Sequence, residues 1–118
     1  MLTPGTLRAA RYLDLMSMSQ RVTAANIANA DTPGYRTRTL DFQSALSNAL
    51  EHPSRRPASE PVVVELGGLP VKNDGNDVNL DREMRNLSET TIRFGHGLLM
   101  MRGGIRHVRQ AIQEGRGA

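Results

Sequence analysis

His52, His96 and His107 are the only imidazoles in this 118-residue chain. Imidazole is the commonest general base and metal ligand near neutral pH, so their spacing is the first test for catalysis. His96 and His107 fall in one helical pattern, three turns and roughly 16 Å apart, too far to share a metal; all three read as solvated surface residues. Asp77, Asn79 and Asp81 start like a calcium loop, but its sixth position is Arg82 where glycine is needed, and its twelfth is Ser88 where glutamate is needed. Capping of a following helix accounts for them better. Serines and threonines are plentiful, yet no His–acid pair stands near any of them in sequence, and the glycine-rich stretches do not follow a strand with phosphate-loop spacing. The absence of cysteine removes disulfides and thiolate metal sites. Arg102, Arg106 and Arg109 form a basic strip that could meet phosphate or be the flank of a helix pair. The expectation is a protein that is not an enzyme, with no catalytic, cofactor or metal residue and no cofactor.

The elements that carry these residues are unevenly apolar. Leu, Ile, Val and Phe make up about 22% of the chain, barely above the level at which a chain can form a core. Two Phe, two Tyr and no Trp leave few large fillers. Fourteen of the fifteen basic residues are arginine, and the net charge is only +3; read along the whole chain the charge is mixed with acids rather than gathered as in a nucleic-acid binder. No apolar run reaches the roughly 20 residues of a membrane span. The start, MLTPGTLRAARYL, lacks the apolar centre and cleavage site of a signal peptide, so export, if it occurs, is expected to need no cleaved signal.

Thr6 is the expected N-cap of a first helix over Leu7–Asn29. Leu7, Leu15, Met18, Val22 and Ala25 lie on one stripe, with Leu13, Met16 and Ile27 roughly opposite; a helix apolar on two sides needs two partners, and one from its own chain would not suffice. After Tyr35, Leu40, Phe42, Ala45, Leu46, Ala49 and Leu50 suggest a short second helix. PSRRPASEP (53–61) reads as a linker, and VVVELGGLPV (62–71) as a weak hairpin over Gly67-Gly68. The last helix, capped by Asn79, has the clearest pattern. Leu80, Met84, Leu87, Thr91, Phe94, Leu98, Met101, Ile105, Val108 and Ile112 step by four and three, an a/d heptad seam with Met84, Thr91, Leu98, Ile105 and Ile112 at a. Gly95, Gly97, Gly103 and Gly104 interrupt it, at about 1 kcal/mol each relative to alanine. Gly97 and Gly104 sit at g, where they could admit a second backbone closely. The chain thus divides at 1–35, 36–78 and 79–118.

NIANADTPGY (26–35) is the most unusual stretch: amides end the first helix, Pro33-Gly34 supplies the centre of a type II turn, and Tyr35 follows. With its flanks, SQRVTAANIANADTPGYRTRTLDFQSAL, it resembles the N-terminal signature of bacterial flagellar axial proteins, the rod and hook family. Asn26, Asn29, Thr32, Pro33, Gly34 and Tyr35 occupy the matching positions. GNDVNLDREMRNLSETTIRF narrows the likeness to the proximal rod members, over residues 15–50 and 75–112. The resemblance implies a mainly α subunit whose long N- and C-terminal helices pair as a coiled coil around an irregular or weakly β middle. It implies a structural, motility-related role in the basal body: export unfolded through the type III apparatus, then polymerisation around its channel into the periplasmic rod. The implied partners are copies of itself, other rod proteins, and basal-ring and export-gate components, with no nucleic acid and no membrane span. The turn motif is then a rigid joint, and the assembly seam comprises Leu15, Met18, Val22, Leu80, Met84, Leu87, Phe94, Leu98, Met101, Ile105, Val108 and Ile112. The alternatives are another axial protein of the family or a nucleic-acid-binding helical module.

Overall fold

The computed structural model describes residues 3–54 and 61–117. Three helices and two short strands follow one another as α1 (Pro4–Ala28), β1 (Arg38–Leu40), α2 (Phe42–Glu51), β2 (Val63–Glu65) and α3 (Leu80–Gly117). The two long terminal helices pack along each other, and the described part of the chain is elongated, 71 × 27 × 17 Å. The expected linker falls largely on residues 55–60, outside the described residues.

α1 begins earlier than its sequence suggests. Thr3, not Thr6, is the N-cap: its hydroxyl accepts from Thr6 N–H at 3.1 Å. Pro4 then takes the first helical position, where a missing N–H costs nothing. Thr6 turns inward instead, its buried hydroxyl 2.9 Å from that of Thr3.

The two apolar sides of α1 find two partners, and both lie within the chain, α2 on one side and α3 on the other. Leu15 packs with Leu40 and Ala49, joined by Met18, Phe42, Ala45 and Leu46 from α1 and α2. Tyr12 meets Phe42 edge-on, ring centres 6.4 Å apart. Arg8 and Arg11 reach across to Leu50 and Pro53 carbonyls at 3.2 Å, placing cationic donors at the C-terminal end of α2 where its carbonyls lack partners.

The other side of α1 faces α3, and here the packed stripe is not the a/d seam. Glu83, Thr90 and Gly97 are the buried residues of α3, all at g. Gly97 and Gly104 explain the shift. A Cβ at Gly97 would lie 2.8 Å from Leu13 Cδ2, and one at Gly104 would collide with the Thr6 hydroxyl. The helices therefore meet where α3 has no side chain, and dispersion contacts denied to a glycine in water are recovered against α1. Gly95 and Gly103 face open space; nothing in the structure explains them. Met84 and Ile112 at a, and Leu80 at d, remain about half exposed; Leu98 and Ile105 are partly covered.

No hairpin forms over Gly67-Gly68. β2 pairs antiparallel with β1, Arg38 opposite Glu65 and Leu40 opposite Val63. The pairing joins segments far apart in sequence, and a three-residue strand carries too little periodicity to be seen from one chain.

Candidate functional site

The six residues of the turn motif stand together where α1 ends, with the segment before α3 and its first turn closing over them. Asn26 is the centre. Its side chain is buried, and all four of its hydrogen-bonding positions are filled. Oδ1 accepts from Arg38 N–H at 3.0 Å and from the Tyr35 hydroxyl at 3.1 Å. Nδ2 donates to the Arg38 carbonyl at 2.8 Å and to Glu83 Oε2 at 3.0 Å. The amide thus bonds both backbone groups of Arg38, as a neighbouring strand would, and ties α1, β1 and α3 in one side chain. Because Arg38 presents one donor and one acceptor, only one orientation of the amide satisfies it.

Asn29 ends α1. Its Nδ2 donates to the Ala25 carbonyl at 2.8 Å, a second bond beside the one from Asn29 N–H at 3.0 Å, and its Oδ1 accepts from Thr32 Oγ1 at 3.1 Å, so the cap's side chain ties the last turn to the residue that opens the next one. Tyr35 N–H then donates to the Thr32 carbonyl at 3.2 Å, closing the turn. Gly34 has φ +75°, the positive value that the third residue of a type II turn requires. The Tyr35 ring also lies 5.9 Å from the Arg38 guanidinium, within reach of a cation–π contact.

Sequence reasoning missed the second half of this site. Asn76 is fully buried and donates from Nδ2 to the Asn29 and Thr32 carbonyls, both at 2.8 Å, while Val78 N–H donates to its Oδ1 at 2.8 Å. Gly34 N–H donates to the Asp74 carbonyl at 2.9 Å. Gly75, also with positive φ, faces Gly34, and a Cβ there would lie 3.3 Å from Gly34 Cα. Asp77 is buried too. It accepts from both the backbone N–H and the hydroxyl of Thr37, with Arg36 3.7 Å away. Burial alone pushes its carboxyl pKa up, but the Thr37 bonds and the Arg36 charge outweigh that and leave it below the ordinary carboxylate value. The signal available was DGND itself, residues 74–77: a loop dense in turn residues just before a helix, with more polar groups than one cap needs.

The acids that resembled a calcium loop are dispersed: Asp77 is spent on Thr37, Asn79 caps α3 through Arg82 N–H at 3.1 Å, and Asp81 is exposed. His52, His96 and His107 are exposed. Among the described residues no three His, Cys, Asp or Glu side chains gather as a metal site, and no helix is long and apolar enough to cross a membrane. The polar groups of this site are committed to one another, which suits a rigid splice between segments rather than a reacting centre. Of the seam residues, Leu15 is buried against α2, Met18 and Val22 are partly covered, and Leu87, Phe94, Met101 and Val108 are partly covered on α3.

A family model described as flagella basal body rod protein matches residues 17–36, the last part of α1 and the whole turn motif. The flagellar basal body rod protein FlgB of Salmonella typhimurium is 30% identical over 122 residues, spanning 87% of this chain and 88% of its own length. The protein of the same name from Escherichia coli K12 is 30% identical over 87% of this chain and 88% of its own length, and that of Borrelia hermsii 36% identical over 67% and 73%. With this extent of likeness, reaching from the joint through both terminal helices, the chain belongs to the FlgB family of flagellar basal body rod proteins.

Proposed function

We propose that this chain is a non-enzymatic structural subunit of the proximal rod, polymerising through its terminal helices around the export channel. It reaches the periplasmic rod by type III export, and meets there copies of itself, other rod proteins, and basal-ring and export-gate components. The observation that carries this reading is the uncovered side of α3. α1 occupies the g side, while Met84 and Ile112 at a, with Leu80 beside them at d, stay about half exposed. A heptad stripe left in water is a surface built for another helix. The turn motif supports the same reading as a joint: it holds the outer segment at one angle to α1, and an angular error would repeat in every subunit of a polymer.

Leu98→Asp tests this. The substitution places a charge at the centre of the a stripe, where burial in an assembly is costly, while Leu98 is only partly covered in the single chain. Cells carrying it are expected to export the protein, yet to lose motility and yield few intact basal bodies. Normal swimming at matched expression would show that the stripe is not buried in the rod.

A further inference from the structure

The chain's positive charge is not evenly placed. Between residues 90 and 117 five arginines face a single acid, Glu114, an excess of four where the whole chain carries +3. Arg102, Arg109 and Arg116 recur every seven residues at e, directly beside the a stripe of Leu98, Ile105 and Ile112. All three arginines are exposed, and among the described residues no carboxylate pairs with any of them. In coiled coils, residues flanking the seam select the partner by charge. A face with arginine on its flank in three successive heptads fits a helix with acids at the matching spacing.

The chain's own helices do not have that pattern. α1 contains one acid, Asp14, against three arginines, and α2 only Glu51 at its last residue. In α3, Glu83 is buried on Asn26, Glu89 is held by Arg93 at 2.6 Å, and the exposed Asp81 and Glu114 lie at opposite ends of the helix, so no acids recur at heptad spacing. A second copy aligned on this face would set arginine against arginine or against neutral residues.

We propose that the a/e face of the distal half of α3 docks an acidic heptad helix of a different protein rather than another copy of this chain. The proposal rests on the reading of the chain as a rod subunit and specifies the chemistry of one neighbour. It makes the distal helix a boundary surface, at which one kind of subunit gives way to another.

The test uses the full chain and two labelled four-heptad peptides, each with Leu and Ile at a and d, one with Glu and one with Lys at e and g. Fluorescence anisotropy is expected to show the Glu peptide binding at least about tenfold tighter than the Lys peptide, the sum of three modest ion pairs. Added salt should narrow the difference. Arg102→Glu/Arg109→Glu/Arg116→Glu should reverse the preference, and the matching Gln variant, with circular dichroism confirming unchanged helix content, should abolish it. Equal binding of both peptides, or a preference unmoved by the Glu variant, overturns the proposal. So does salt-insensitive self-association through this face, seen by sedimentation and lost in Ile112→Asp. Recovery of the wild-type chain in purified basal bodies is scored separately. Its presence there without a peptide preference removes the acidic partner and keeps the rod role; its absence removes the rod role itself.

Discussion

The joint around Asn26 and the distal half of α3 solve opposite problems. In the joint, Asn26, Asn29, Asn76, Asp77 and Glu83 bring many polar groups out of water, and each side chain named here has its partner in the same chain. Arg82 Nη1 is the one buried side-chain atom among the described residues without an acceptor. In the distal helix residues 109–116 are exposed, apolar and basic alike. A buried polar network is favourable only when complete, so the joint must be specified by its own sequence. On the proposed reading the exposed heptad stripe is covered by another helix, so its specification lies partly in another molecule. One chain thus contains a region that is finished and a region that waits.

The largest expected effect lies in the joint. Asn26→Ala leaves a buried glutamate and both backbone groups of Arg38 without partners, and should cost about 3–5 kcal/mol of stability, read from urea unfolding. A loss below about 1 kcal/mol would mean that water replaces the amide and that the network is not closed.

Next come the glycines of α3. Gly97→Ala and Gly104→Ala push a Cβ into Leu13 and the Thr6 hydroxyl, and overpacking of this kind costs about 1–3 kcal/mol. Gly103→Ala, in open space, should instead stabilise by up to about 1 kcal/mol from helix propensity. Thermal melts of the three variants separate them by sign, and equal shifts would remove the close approach as the reason for the rotated stripe.

Acid probes the joint more gently. The folded pKa of Asp77 lies below the unfolded value near 3.8, so its contribution is complete above that value and is lost as pH falls through the folded one. Wild type should therefore lose its margin over Asp77→Asn on going from neutral pH into the range below about 4. A margin between their urea midpoints that stays constant with pH would show that Asp77 is not held as a carboxylate.

The smallest effect belongs to the unfinished region. Ile112→Ser, at a half-exposed a position, should change the stability of the single chain by less than about 0.5 kcal/mol, while impairing incorporation into basal bodies. A large loss in the isolated chain would place Ile112 in an intrachain contact and weaken the contrast between the two regions.

Local signals in the sequence determined a good deal. Pro33-Gly34 between an amide-rich helix end and Tyr35 points to a type II turn, because proline fixes φ at the second position and glycine alone takes positive φ at the third without a steric cost. The 4-3 spacing from Leu80 to Ile112 determines one continuous helix despite its glycines, and two apolar stripes on α1 determine two partners for it. What remained for the tertiary structure is what depends on distance in space. Which stripe of α3 meets α1 was decided by how closely the backbones approach, and Gly97 and Gly104 moved the centre of the contact from a/d to g because missing side chains allow the shorter separation. β2 paired with β1, which lies before α2 in the chain, rather than with a neighbour across Gly67-Gly68. Asp77 looked like the start of a calcium loop and, with Asn76, became half of the joint. A polar residue's role is set by the donor or acceptor that folding brings within about 3 Å, and sequence neighbours do not reveal which that will be.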